Sequence, residues 1–73
     1  MHRLEFIPLE NTQATPEVTF KTYAYQKGND TGNLIEALAK SNDVDLNDYE
    51  KVIIYESCGK YILPVDVIWF HQV

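Results

Sequence analysis

The sequence has few of the features that would mark a secreted, membrane-spanning or disordered protein. It has one cysteine, Cys58, so no disulfide can form within the chain. Its longest apolar runs, residues 52–55 and 67–70, are far shorter than the ~20 residues needed to cross a bilayer. Three glycines and three prolines are too few for a disordered tail. The residues after Met-His-Arg lack the long apolar region of a signal peptide, so we expect no signal peptide and a cytoplasmic location.

Basic side chains are also scarce. Six lysines and arginines stand against eleven acids, which gives a net charge of −5. Nucleic-acid binding draws most of its affinity from Lys and Arg on phosphate, so this balance argues against it as a general activity. It also disfavours binding to an anionic membrane surface. An acidic surplus suits solubility, or docking onto a basic surface.

What the chain does contain is the composition of one small globular domain, residues 1–73. Hydrophobic residues make up 45% of the sequence and aromatic residues 12%, which is enough to build a core. A domain of this size buries only roughly 60% of the surface of its extended chain. We therefore expect a single domain of modest stability.

The first half of the chain predicts two strands and a helix. Residues 4–9 are apolar, and residues 17–27 alternate with the period of two that is typical of a strand. Apolar side chains then recur at helical spacing over residues 34–39. Candidate helix caps are Asn33, Asp30 and Thr31, and the expected end is Ser41-Asn42.

The second half predicts a hairpin. An acidic connector, residues 42–48, leads into a strong strand pattern over residues 49–57. A Cys58-Gly59 turn is expected to return the chain as a further strand from Lys60 onward. Pro64 interrupts that strand, which implies an edge position or a bulge.

The order β-β-α-β-β predicts an α+β domain. One helix is expected to pack on one face of an antiparallel sheet, which has four strands, or five if Pro64 divides the last one. The helical crossover between the second and third strands is expected to place those two strands apart in the sheet.

The predicted hairpin has no polar face. With Cys58-Gly59 as the turn, Tyr55 would face Ile62 and Ile54 would face Leu63, so both faces are apolar. A sheet with one solvated face should alternate apolar and polar residues, and a three-turn helix covers only one face. Either the N-terminal strand and loop wrap the second face or a partner covers it, and we favour a partner.

One acidic pattern resembles the start of a calcium-binding loop. Asp43, Asp45 and Asn47 alternate, but the sixth and twelfth positions, where such a loop needs Gly and Glu, hold Asp48 and Ile54. We interpret the segment as a solvated acidic turn.

The chain shows no catalytic, metal or phosphate-binding motif. Cys58 would need a base to act as a nucleophile, and no motif links it to His2 or His71. The same three residues lack the spacing of a zinc site, and the Gly-rich loop of a phosphate site is missing. We therefore expect no enzyme activity, no cofactor and no metal. Asp66, which lies inside an apolar strand, is interpreted as a solvent-facing residue of an edge strand.

The favoured hypothesis is a non-enzymatic interaction protein that blocks a partner by covering its surface. Its layout resembles that of small acidic phage and mobile-element proteins that bind and inhibit a host protein. The partner would be a basic, nucleic-acid-binding protein, or a second copy of the chain in a homodimer. Aromatic residues are the candidate anchors, because they dominate interface hot spots: Tyr23, Tyr25, Tyr55, Tyr61, Trp69 and Phe70. Acidic residues are the candidates for steering: Asp43, Asp45, Asp48 and Glu50.

The alternative hypothesis is binding of single-stranded nucleic acid. Lys21, Tyr23, Tyr25 and Lys27 would line one face of the second strand if its alternation continued throughout. Aromatic rings that stack on bases, flanked by amines that meet phosphates, are how sheets bind single strands. The net charge weighs against this hypothesis.

Overall fold

The computed structural model describes residues 1–9, 17–26 and 31–70. The order β-β-α-β-β is confirmed, and the described residues contain four strands, without the fifth that Pro64 had suggested. The strands and the α-helix are β1 (His2–Pro8), β2 (Val18–Thr22), α1 (Thr31–Ser41), β3 (Tyr49–Cys58) and β4 (Tyr61–Trp69), with a 3-10 turn (Leu46–Asp48) before β3.

The four strands form one antiparallel sheet in the order β2-β1-β3-β4. β1 lies between β2 and β3, so the helical crossover separates those two strands as the sequence predicted. The central strands are β1 and β3, and the edges are β2 and β4. The chain is therefore an α+β domain with one helix and a four-stranded sheet.

Helix α1 packs the predicted apolar stripe onto this sheet. Ile35 and Ala39 are buried, and Leu34 and Leu38 are partly buried against the core. The helix already begins at Thr31, so the predicted cap at Asn33 is wrong: this residue lies in the first helical turn. Thr31, one of the two rival caps, is itself the first helical residue, and Asp30, the other, lies outside the described residues.

The C-terminus of α1 is capped by a backbone hydrogen bond from the residues that follow it. The Val44 amide donates to the carbonyl of Ala39 at 2.8 Å, and Asp43 between them has a φ of 56°. This is the Schellman arrangement, in which one residue in the left-handed conformation satisfies the last helical carbonyls. Val44 and Leu46 then pack against the core, as expected of a connector that runs beneath the helix.

The core lies between α1 and one face of the sheet, which we call the inner face. Leu4, Phe6, Val52 and Ile54 on the central strands are fully buried there. The Phe6 ring is the centre of an aromatic cluster. Its centroid lies 5.5 Å from that of Phe20, 5.8 Å from that of Tyr49 and 6.1 Å from that of Phe70.

The turn of the β3–β4 hairpin is one residue later than predicted. Cys58 pairs with Tyr61, so the two turn residues are Gly59 and Lys60. Gly59 has a φ of 61°, and Lys60 does not share this positive φ. A glycine in the first of two turn positions favours the type II′ hairpin turn, whose twist matches that of the strands. The predicted pairing of Tyr55 with Ile62 is therefore wrong.

A bulge near Pro64 shifts the register once more. Ile54 pairs with Asp66, but the next residue, Tyr55, pairs with Pro64, so Val65 is the extra residue of β4. The sequence predicted an edge position or a bulge at Pro64, and β4 has both. With this register Trp69, the last residue of β4, lies opposite Lys51, so β4 ends before it reaches the start of β3 at Tyr49.

Candidate interaction surface and inner cleft

The second face of the sheet, the outer face, is not covered by α1. Residues directly opposite each other in antiparallel strands share a face, so the strand pairing defines its members. They alternate with the buried residues of the inner face. The outer face comprises Arg3, Glu5, Ile7, Thr19, Lys21, Lys51, Ile53, Tyr55, Ser57, Ile62, Val67 and Trp69.

Large apolar side chains remain exposed on this face. Trp69 is 50% exposed, Ile62 47% and Val67 41%. Ile53, on a central strand between Glu5 and Val67, is partly buried. This is the second apolar face that the sequence predicted.

Two cation–π pairs hold the aromatic rings of the outer face. The guanidinium carbon of Arg3 lies 5.0 Å from the centre of the Tyr55 ring. The ammonium nitrogen of Lys51 lies 4.5 Å from the centre of the Trp69 ring. Arg3 also forms an ion pair with Glu5, with 3.5 Å between its Nη2 and Oε2. These contacts restrain long side chains before any partner binds, which lowers the entropy lost on binding.

Among the described residues, charge is segregated between the outer face and the rest. The outer face carries three bases, Arg3, Lys21 and Lys51, and one acid, Glu5. The other described residues include two bases, Lys40 and Lys60, and eight acids. The apolar face is therefore locally positive on a protein whose net charge is −5.

The six predicted aromatic anchors do not form one surface. Only Tyr55 and Trp69 lie on the outer face. Tyr61 is exposed beside the hairpin turn, and Tyr23 is exposed just after β2. Tyr25 is buried and Phe70 packs on Phe6, so these two rings stabilise the inner side of the sheet.

The predicted steering acids lie away from the outer face. Asp43 and Asp45 are exposed in the connector after α1, where the Asp45 carboxylate accepts a 3.0 Å hydrogen bond from the Asn47 amide. Asp48 belongs to the 3-10 turn, and Glu50 shares the inner side of β3 with Val52 by strand alternation. Anchors and steering residues are thus on different surfaces.

The predicted nucleic-acid face is also not assembled. β2 ends at Thr22, and the Thr22 hydroxyl accepts a 3.0 Å hydrogen bond from the Ala24 amide as the chain leaves the sheet. Tyr25 then lies on the inner side, whereas Lys21 lies on the outer face. Lys27 lies outside the described residues.

An open cleft of about 460 Å³ lies on the inner side near the hairpin. His2, Tyr25, Glu56, Pro64 and Val65 line it. His2 and Glu56 face each other across β1 and β3. The bulge at Val65 supplies the opposite wall, so the cleft depends on the extra residue that separates Pro64 from Asp66.

Tyr25 joins this cleft to Asp66. Its hydroxyl donates to Oδ2 of Asp66 at 3.1 Å, and its ring lies 4.7 Å from the His2 ring, centroid to centroid. The other carboxylate oxygen of Asp66 accepts from the Val67 amide at 2.9 Å. Asp66 is therefore a partly buried hydrogen-bond acceptor, and its interpretation as a solvent-facing residue is wrong. Sequence reasoning singled out Asp66 but found neither its partner nor the cleft.

The phenols of Tyr25 and Tyr49 both resist ionisation. Burial raises the pKa of Tyr25 above 10, and its hydrogen bond to Asp66 and the charge of that carboxylate raise it further. Burial also raises the pKa of Tyr49 above 10, with a smaller effect from the charge of Asp48. Both tyrosines therefore ionise later in the folded chain than in the unfolded chain.

Folding stability should consequently fall at alkaline pH. The contribution of these two phenols is fully present below pH 10 and is lost as the pH rises through the higher pKa values of the folded state. Absorbance at 295 nm, followed in native and denatured protein, should show two late phenol ionisations only in the native protein. Tyr25→Phe and Tyr49→Phe should each remove one, and Tyr23→Phe should leave both. Native titration that matches the denatured curve would contradict this expectation.

The described ranges contain no group of three or more His, Cys, Asp and Glu residues that could hold a metal ion. Cys58 is exposed beside the hairpin turn, and His71 lies beyond residue 70. No helix in these ranges is long and apolar enough to cross a membrane.

We also compared the chain with models of protein families, with curated proteins and with solved structures. It matches none of them.

Proposed function

We propose that the chain is a non-enzymatic interaction protein that binds a partner protein through the outer face and blocks the surface that it covers. The observation that carries this proposal is the uncovered row of apolar side chains along edge strand β4 on the outer face, where Ile62, Val67 and Trp69 are about half exposed. Exposed apolar patches rimmed by polar residues are typical of protein-binding sites. The exposed, unpaired thiol of Cys58 suits the reducing cytoplasm, which we propose as its location.

The composition of the face favours a protein over single-stranded nucleic acid. Stacking on bases needs free aromatic ring faces, but Arg3 lies over Tyr55 and Lys51 over Trp69. The surface between these pairs is aliphatic, with Ile53 opposite Val67. The acidic remainder of the chain would also repel a polyanion.

Charge indicates what the partner presents. A surface with carboxylates beside an apolar area would meet Arg3, Lys21 and Lys51 with opposite charge. A basic partner, which the total charge had suggested, would face these same cations. Two copies joined by this face would likewise bring like charges together, so we propose a different protein rather than a homodimer. If this chain is an inhibitor of the phage type, it binds its target through the basic outer face although its total charge is acidic.

A charge-introducing substitution on the outer face tests the proposal. We expect Val67→Lys to weaken the complex about 30-fold or more, since it places an unpaired charge in the middle of the apolar row along β4. Leu63→Lys is the matched control, because Leu63 is a similarly exposed aliphatic residue of β4 that lies on the opposite face, paired with Glu56. The dissociation constant is measured with the purified partner, identified first by capture from the lysate of the source cells.

Three outcomes would contradict the proposal. One is equal affinity of Val67→Lys and the native protein for every purified partner. Another is a dimer by light scattering that Val67→Lys converts to a monomer, which would show that a second copy covers the face. The third is oligonucleotide binding at low salt that Val67→Lys preserves or strengthens, which would favour nucleic acid instead.

A further inference from the structure

The free edge of strand β2 has a sequence that is complementary to itself. We propose that two copies of the chain pair at this edge, β2 antiparallel to β2, so that one continuous sheet contains the four strands of each copy. This edge is a different surface from the outer face, so the inference does not depend on the proposed function and can fail without it.

The backbone of β2 presents unused hydrogen-bonding groups at this edge. The Ser57 amide donates to the Met1 carbonyl at 3.4 Å, so odd-numbered residues of β1 bond to β3 and even-numbered ones bond to β2, because the bonding direction alternates along an antiparallel strand. The β2 residues opposite those even-numbered residues turn their backbone toward β1. The N–H and C=O groups of Thr19 and Lys21 consequently point away from β1, where no strand of the described chain lies beside β2.

The other edge of the sheet is protected against such pairing. Pro64 has no N–H to donate, and the bulge at Val65 disrupts the regular ladder of β4. The carboxylate of Asp66 also accepts from the Val67 amide at 2.9 Å, which occupies that donor. β2 has neither a proline nor a register shift within its five residues. Pairing with a further strand is therefore open at β2 and hindered at β4.

Side-chain charges select one register for two antiparallel copies. The outward-pointing backbone groups belong to odd-numbered residues, which must lie opposite each other to bond. Pairing centred on Lys21 would place two lysines face to face, which is unfavourable. Pairing centred on Phe20 would set Lys21 opposite Thr19 and form no ion pair. Pairing centred on Thr19 places Glu17, directly before β2, opposite Lys21 of the second copy, and the two-fold symmetry forms this ion pair twice.

This register matches charges that have no partner within the described part of the chain. Glu17 and Lys21 are both exposed and form no ion pair there. Lys21 lies directly opposite Arg3 on β1, a like-charge arrangement that is unfavourable in a sheet, and Glu5 pairs with Arg3 rather than with Lys21. A carboxylate on the free side of Lys21 offsets that repulsion.

Both faces of the joined sheet are consistent with the same register. On the inner face, Val18 lies opposite Phe20 of the second copy, and both residues already pack against the core. On the outer face, the apolar row along β4 of each copy stays uncovered, so the dimer still offers it to another protein. The net charge of −5 on each copy opposes association, so we expect a weak dimer whose population depends on protein concentration.

Sedimentation velocity of the full chain over a series of protein concentrations tests this pairing. We expect a dimer that Lys21→Glu weakens about tenfold or more, since the symmetric contact loses both ion pairs and gains two repulsions. Glu17→Lys should weaken it similarly. The double variant that combines Glu17→Lys with Lys21→Glu should restore it, because the exchanged charges attract again. Lys60→Glu is the matched control, since Lys60 is an exposed lysine in the turn of the β3–β4 hairpin.

Amide hydrogen exchange identifies the edge that pairs. The amides of Thr19 and Lys21 should exchange more slowly as the dimer forms, whereas the outward-pointing amide of Trp69 on β4 should not change. A chain that stays monomeric at millimolar concentration would overturn this proposal and leave the proposed function intact. So would a dimer that Lys21→Glu and Lys60→Glu weaken equally, that the folded double variant fails to restore, or that protects Trp69 instead. A dimer that Val67→Lys dissociates would place the contact on the outer face and contradict both proposals.

Discussion

Ile54→Ala should destabilise the domain by about 2–5 kcal/mol, whereas Ile53→Ala should cost about 1 kcal/mol or less. The two residues are neighbours on β3 and have the same side chain. Ile54 is fully buried in the core on the inner face, so its loss leaves a cavity. Ile53 lies on the outer face, where no helix covers it.

Urea denaturation followed by circular dichroism measures both free energies of unfolding. The difference between the two variants reports directly which face of the sheet is covered, because backbone propensity changes equally in both. Equal losses would show that something within the chain covers the outer face as well. The proposal of a partner-binding surface would then lose its basis.

Phe6→Ala should cost about 3–5 kcal/mol, the largest loss that we expect from a single substitution. The Phe6 ring is fully buried and contacts the rings of Phe20, Tyr49 and Phe70. Removing it leaves one cavity shared by three strands and the residue that follows β4. A domain of 73 residues has about 4–11 kcal/mol of stability in total, so a large share of it depends on this ring.

The same denaturation measurement, with Tyr23→Ala as the control, tests this expectation. Tyr23 is also aromatic but is 79% exposed, so its removal should change stability by less than about 0.5 kcal/mol. A loss for Phe6→Ala no greater than that for Tyr23→Ala would contradict the placement of the core.

Sequence periodicity was sufficient to predict the elements but not their register. The apolar spacing of Leu34, Ile35, Leu38 and Ala39 placed the helix and its buried side, because this pattern is local. The position of the hairpin turn depended on whether Gly59 takes the first or the second turn position. Glycine is favoured at both, because it adopts a positive φ without strain. The structure places it first, and every cross-strand pair of the hairpin shifts accordingly.

The candidate sites depended on contacts between distant parts of the chain. The alternation of residues 17–27 correctly predicted a strand, but it gave no sign that the chain leaves the sheet after Thr22. Tyr25 therefore was expected among exposed residues and instead is buried beside Asp66, 41 residues later in the sequence. The sequence did show one unusual feature, the charged Asp66 inside an apolar strand. The cleft could be located only once the structure showed that Tyr25 is its hydrogen-bond partner.

The segregation of charge gives the described part of the chain a permanent electric dipole, with the outer face toward its positive end. The acidic partner proposed above would repel the whole molecule at long range, since the net charge is −5, but would attract this one face at contact. The dipole torque would also turn the outer face toward such a partner during approach, which favours productive encounters. The Debye length is about 10 Å at 0.1 M salt, so added salt weakens the long-range repulsion more than the attraction between groups in close contact. We therefore expect association to be fastest at intermediate ionic strength.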